Sequence, residues 1–132
     1  MGNRSSRNAL VAFSCALDAG YATPTVGHMV KITASYTVDE VAAATDNVVG
    51  EVVSVEVGAD NLEASVVVEA SASKIKTLLS AAAVTAGQFA VISSSTEARD
   101  YNAGGGDTAD MISGLFLQSA AGAAAAVDVL LF

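Results

Sequence analysis

The stretch VGHMVKITAS, from Val26, returns as AGQFAVISSS from Ala86, sixty residues on. Each copy has a glycine, a polar residue, an apolar run that reaches an isoleucine, then small polar residues. The repetition extends downstream. After the first copy come VVGEVVSV and EASVVVEA; after the second come MISGLFLQS and AAAVDVLLF. The order is a glycine-led strand, a loop, a strand carrying a glycine (Gly50, Gly114), a turn and a closing strand. Two units, each with one apolar face, bury those faces by closing up as a small barrel or by stacking as a sandwich. Two long units are too few for a solenoid. Short β-rich segments also look alike by chance, so the repeat is an expectation for the structure to test.

The side chains available agree with a β architecture. Apolar residues make up 52% of the chain and aromatics 5%, with no tryptophan, so the core must be built from valine, isoleucine and small residues. Those β-branched side chains suit a pleated surface. Strands are predicted at 10–17 (as an edge strand), 29–35, 38–43, 48–57, 62–71, 88–93, 111–118 and 127–132. Val52, Ser54 and Glu56 alternate with Glu51, Val53, Val55 and Val57, and GADN supplies a turn, so 55–70 reads as a hairpin. One segment changes period. In SKIKTLLSAAA, Ile75, Leu78, Leu79 and Ala82 fall at i, i+3, i+4 and i+7, which predicts a short helix near 73–83 bridging the halves, with Ser71 or Ser73 as its N-cap. RDYNAGGGDTAD must be a loop, since consecutive glycines hold regular structure poorly. SAAGAAA reads as a small-residue turn.

The expected organisation is a flexible N-terminal arm, residues 1–9, then a single mainly β domain, 10–132. That domain has two related halves, at about 27–70 and 87–132. The arm holds Arg4 and Arg7, two of only six basic residues against fourteen acids. A net charge of -8 argues against nucleic acid as partner, because neutralising phosphates needs clustered lysine and arginine. No apolar run reaches the length of a membrane span.

Catalytic patterns are incomplete wherever they begin. Ser71-Ala72-Ser73-Lys74 fits S-x-x-K, but the companion S-D-N and K-T-G motifs are missing. Cys15 and His28 are single residues of their kind; Cys15 reads as a small buried hydrophobe, and the pair alone makes no zinc site. Gly104-Gly105-Gly106 lacks the Lys-Ser/Thr of a phosphate loop. Asp100, Asp107 and Asp110 offer oxygens to a hard cation without EF-hand spacing. The expectation is a protein with no catalytic residues, metal or cofactor.

One resemblance adds to this. Gly27, Val30, Ile32 and Thr33, then Val48, Val49, Gly50, Val52 and Val53, then Gly87, Val91 and Ile92 occur in order. Ile112, Gly114 and Leu115, then Ala120, Ala121, Gly122, Val127, Val129 and Leu130 complete the series. This succession resembles the small head-decoration, or capsid cement, proteins of tailed bacteriophages, from Gly27 to the end. The acid that usually comes after the first glycine is replaced by His28 here and Gln88 in the second copy. The resemblance implies a β-barrel or β-tulip-like domain, often trimeric. It implies a virion protein on the outer capsid surface, made in the bacterial host cytoplasm, that staples neighbouring major capsid protein subunits. It also points to an arm that orders on the capsid, for which Arg4, Arg7, Leu10, Val11 and Phe13 are candidates. Ala120, Ala121, Gly122 and Ala123 are the candidate oligomer contact. Other readings are a tail or fibre domain and a small carbohydrate-binding β domain. For the last, Tyr21 and Tyr101 are the loop aromatics. A fibre domain normally belongs to a longer chain, and this one begins at Met1.

Overall fold

The computed structural model describes residues 11–56, 64–71 and 73–132. The strands are β1 (Ala12–Leu17), β2 (Met29–Ala34), β3 (Thr37–Glu40), β4 (Val48–Glu56), β5 (Ser65–Ala70), β6 (Lys74–Ser80), β7 (Phe89–Ile92), β8 (Glu97–Asp100), β9 (Gly114–Phe116) and β10 (Ala126–Leu131). They form two closed barrels, one in the order β1-β3-β2-β4-β5 and the other β10-β6-β8-β7-β9. The chain is mainly β, as expected, and among the described residues its helical content is two short 3-10 turns at Ala103–Gly105 and Ala109–Met111.

The two barrels are one pattern used twice. In each, the first strand runs parallel to the third and antiparallel to the fifth. The irregular backbone hydrogen bonds repeat as well. Gly27 N–H donates to the Val52 carbonyl at 2.7 Å, and Gly87 N–H to that of Phe116 at 2.8 Å. Ala16 N–H donates to the Tyr36 carbonyl at 2.8 Å, and Leu79 N–H to that of Thr96 at 2.9 Å. Gly27 and Gly87 both take a left-handed backbone, with φ of 93° and 87°, a region that a side chain disfavours. Gly50 and Gly114 recur for a different reason. A Cβ at Gly50 would sit against the Glu69 carbonyl oxygen, and one at Gly114 against that of Leu130. In both barrels the fourth strand passes too close to the fifth for any side chain.

The repeat is longer than its sequence signal. Each unit also owns a strand at its front, β1 or β6, so the second unit begins near Lys74. The expected helix at 73–83 is therefore corrected: Lys74–Ser80 is a strand, and Ser71 and Ser73 cap nothing. Along β6, Lys74, Lys76, Leu78 and Ser80 turn inward, while Ile75, Thr77 and Leu79 are exposed. The alternation is real but carries inverted polarity, with lysines inside and aliphatics outside, so the apolar set alone imitates a helical face. Six registered pairs with β10 and a parallel pairing with β8 override local helix preference. The expected edge strand is corrected too, since β1 is hydrogen-bonded along both sides. β8 begins the segment expected to be all loop: Arg99 and Asp100 belong to it. The strand expected at 111–118 shrinks to β9.

Valines fill the first barrel: Val30, Val38, Val52, Val66 and Val68 are wholly buried around Cys15 and Tyr21. The second is filled by Leu78, Ile92, Phe116, Val127, Val129 and Leu131, and Met29 and Val41 of the first barrel belong to the same cluster. Burying each such side chain contributes about 1.5–3 kcal/mol. The shared cluster makes the two barrels one packed body.

Candidate functional site

Cross-strand partners share a face of a sheet, which defines an outer row on each barrel. On the first it runs Met29, Glu51, Glu69, Ala12 across β2, β4, β5 and β1. On the second it runs Phe89, Leu115, Leu130, Ile75 across β7, β9, β10 and β6.

The first row is covered by the second barrel. Glu51 and Glu69 lie directly opposite each other, an arrangement that repels. Lys74 answers both, with its Nζ on Glu51 and 2.6 Å from Glu69 Oε1, and Lys76 Nζ lies 2.7 Å from Glu51 Oε2. Beside them Met29 N–H donates to the Ser95 carbonyl at 2.8 Å. So the outer face of barrel one closes over the mouth of barrel two, where β6 presents its inward lysines. Burial works against the charge on Lys74, but the hydrogen bonds and charges of Glu51 and Glu69 prevail and raise its pKa. Burial likewise raises Glu51, yet the two lysines prevail and hold it below the usual carboxylate range. A cavity of about 200 Å³ flanks this joint, lined in part by Asp46, Ser71, Asp110 and Phe132.

Among the described residues the second row has no such cover, although its central Leu115 and Leu130 are half-buried. Phe89 is 47% exposed, Phe132 57% and Ile75 61%. Phe89 and Phe132 meet edge to face, centroids 6.4 Å apart. Among the described residues nothing covers the mouth of the first barrel either. Val11 is 65% and Tyr36 69% exposed, and Phe13 packs edge to face on Tyr36 at 6.3 Å. These are contiguous apolar patches of the kind that mark interaction sites.

Of the candidate arm residues, Arg4, Arg7 and Leu10 lie outside the described residues, as does the GADN turn. Val11 and Phe13 sit at the start of the first barrel, Phe13 half-buried against its core. With both edges of β1 occupied, that strand has no edge to lend to another sheet. Ala120, Ala121, Gly122 and Ala123 form the turn before β10, tied to their own barrel. Ala120 and Val84 exchange backbone hydrogen bonds at 3.0 Å, and the Gly122 carbonyl accepts from Ser80 Oγ at 2.7 Å. Ala121, Gly122 and Ala123 remain exposed.

The residues of the incomplete catalytic patterns have other occupations. Cys15 is 2% exposed in the first core, and burial pushes its thiol pKa up, the opposite of a reactive cysteine. His28 Nδ1 meets Glu40 Oε1 at 2.9 Å. A lysine acting as a base must be neutral, whereas Lys74 is held charged between two carboxylates. Asp107 accepts both forks of Arg99 at 2.6 and 2.8 Å and the Asn102 N–H at 2.8 Å. The Arg99 guanidinium, then the Asn102 N–H, lower its pKa to about 2. This pair stitches the glycine loop shut. Among the described residues no three acidic, histidine or cysteine side chains gather as a metal would need, and no helix is long and apolar enough to cross a membrane.

Sequence reasoning does not find the Glu51, Glu69, Lys74 and Lys76 cluster. Part of a signal for it exists in the repeat itself: aligned through Gly50 and Gly114, Glu51 stands where Leu115 does, while the match of Lys76 to Phe13 needs the paired hydrogen bonds of Ala16 and Leu79.

No family model matches this sequence, and no curated protein is similar to it. Among solved structures, the chain is similar to the N base of the head fibre gp8.5 of bacteriophage phi29. The TM-score is 0.54 at 9% sequence identity, over 93% of this chain and 94% of that one. The likeness spans nearly all of both chains, so the fold of the whole body is one that a phage head-fibre base also uses.

Proposed function

We propose that this chain is a structural protein of a phage virion that binds the outer surface of the head and staples neighbouring major capsid protein subunits. It works as a homo-oligomer, a trimer in the reading that the cement-protein resemblance favours, without catalysis, cofactor or nucleic acid. The observation that carries the proposal is the end-to-end fold likeness to a phage head-fibre base, reached independently of the motif succession that resembles cement proteins. Supporting it, the conspicuous surface features are apolar patches, and Glu51, Glu69, Lys74, Lys76, Arg99 and Asp107 are spent on internal ion pairs. A module that acts by sticking needs many copies, each bridging subunits, and gains holding power by multivalency. The residues upstream of Val11, with Arg4 and Arg7, are the candidate capsid contact, the arginines meeting capsid carboxylates.

The test mixes purified protein with undecorated expanded heads and with unexpanded shells and counts bound copies. Saturable binding to expanded heads is expected, and it should be lost on deleting residues 2–9 with the barrels still folded. Binding to neither shell would refute the reading. A second reading, that the body is the base of a longer fibre, is favoured by the phi29 neighbour being a fibre base. Copies confined to few sites per head would support it over a cement that covers the shell.

A further inference from the structure

We propose that the barrel joint inside the chain is repeated between chains: the apolar outer row of the second barrel seats on the open mouth of the first barrel of another copy. This deepens the oligomer part of the proposed function and stands apart from its capsid part.

The repeat is the starting point. Because the two barrels share one pattern, the covered face of the first has a counterpart on the second, position by position. Met29, Glu51, Glu69 and Ser71 correspond to Phe89, Leu115, Leu130 and Phe132. The pairing registers show it: Met29 opposes Glu51 as Phe89 opposes Leu115, and Glu51 opposes Glu69 as Leu115 opposes Leu130. The mouth has counterparts too. Lys74, Lys76 and Thr96 of the second barrel correspond to Val11, Phe13 and Tyr36 of the first, fixed by the matched bonds from Ala16 N–H to Tyr36 and Leu79 N–H to Thr96. The chain therefore holds one complete joint and the two halves of a second one. An outer face is left over on the second barrel and a mouth on the first.

The chemistry of the leftover halves identifies the occupant. Inside the chain the joint adds to the apolar contact of Met29 and Val41 with the second core an ionic part, glutamates on the face and lysines in the mouth. At the free ends both sides have changed together, to Phe89, Leu115 and Leu130 on the face and Val11, Phe13 and Tyr36 in the mouth. A single altered side would mark a patch for some unrelated partner. Matched alteration of both sides leaves them complementary to each other. It also makes the joints exclusive. Buried unpaired lysines would penalise the apolar face in the wrong mouth, and buried unpaired glutamates would penalise the ionic face there. Contact between face and mouth is heterologous, so it closes into a ring where the rotation allows and otherwise runs on as a filament.

The test is association of the purified protein by analytical ultracentrifugation, with no capsid present. Wild type should self-associate with rising concentration. Leu115→Glu with Leu130→Glu copies the ionic face, and Val11→Lys with Phe13→Lys copies the ionic mouth. Each variant alone should lose association by roughly thirtyfold or more. Mixed, the two should form a one-to-one complex, since the unaltered face of one fits the unaltered mouth of the other and the two altered halves match as well. Because Phe13 touches the core, Tyr36→Glu and Phe89→Glu, both at exposed positions, supply a second pair of blocking variants, with circular dichroism confirming the fold. Wild type that stays monomeric, blocking variants that still associate, or no complex in the mixture of folded ionic variants would overturn the inference. Failure of head binding with association intact would count against the capsid reading alone.

Discussion

Replacing Glu51 by leucine, the residue its counterpart Leu115 already is, tests whether the ionic joint holds the barrels together. The side chains of Lys74, Glu51, Lys76 and Glu69 are 10%, 13%, 17% and 23% exposed. Glu51→Leu leaves Lys74 with Glu69 and removes the carboxylate that pairs Lys76. Removing one partner of a buried pair costs about 3–5 kcal/mol. Water reaches these groups in part and Lys76 can swing toward it, so the expected loss is about 2–3 kcal/mol. At roughly 4 °C per kcal/mol for a chain of this size, Tm should fall by about 8–12 °C in a calorimetric scan. A cycle with Lys76→Met should return a coupling of about 1 kcal/mol or more, because the second change removes the stranded charge. The pH dependence carries its own signature. Glu51 is held below its unfolded pKa, so its contribution is present above about 4.3 and fades as pH falls through the folded value. Lys74 is held above its own, so its contribution is present below about 10.4 and fades as pH rises through the folded value. Glu51→Leu should flatten the acid limb in particular. A loss under about 0.5 kcal/mol, with strict additivity in the cycle, would refute the reasoning and reduce the cluster to a surface ornament.

The close-packed glycines and the glycine loop each supply a further test. A methyl group at Gly50 would lie 2.8 Å from the Glu69 carbonyl carbon, and one at Gly114 2.9 Å from Val129 Cγ1. Gly50→Ala and Gly114→Ala should therefore each cost about 3 kcal/mol in urea unfolding, with Gly122→Ala, at an open position, within about 0.5 kcal/mol of wild type. Near-neutral Gly50→Ala would mean that β4 and β5 do not pack as closely as described. For the glycine loop, carboxyl NMR titration should place Asp107 near about 2, and Arg99→Leu should raise it toward about 3.9. Asp107 is depressed in the folded state, so its stabilisation is lost as pH falls from about 4 toward 2; an unmoved Asp107 in that variant would show that Arg99 is not its partner.

What the sequence reveals and what it hides divide on physical lines. β5, with Val66 and Val68 inward, is legible because a two-residue period with branched side chains has few other homes; β4 is legible as a strand, but Val53 and Val55 of its apolar alternation are exposed, because the register shifts after Val52. The glycines at 27, 50, 87 and 114 are legible as a repeat because each answers a backbone demand that recurs in both barrels. β6 reads as a helix because its inward positions hold lysines whose partners, Glu51 and Glu69, belong to another barrel, and no local pattern records that. β8 is hidden beside a glycine run, since only one of its four residues, Ala98, is wholly buried. The candidate arm is legible as charge and composition alone. The apolar mouth is half-visible: Val11 and Phe13 stand out, but as arm residues, because nothing in the sequence places them beside Tyr36.

The divergence of the repeat explains why one chain would keep a polar joint and offer apolar ones. Two barrels tethered by a short connection meet at high effective concentration, so their joint needs little intrinsic affinity. A small apolar contact, Met29 and Val41 on the second core, with ionic pairs beside it suffices there, and the directional pairs fix the rotation of one barrel on the other. Ends that must find each other from separate chains have no tether. They need buried apolar area, whose driving force does not depend on alignment at first encounter. A chain that inherited one joint by duplication and then divided the two tasks would be expected to move charge inward and aromatics outward, as Glu51, Glu69, Lys74 and Lys76 stand against Leu115, Leu130, Val11 and Phe13.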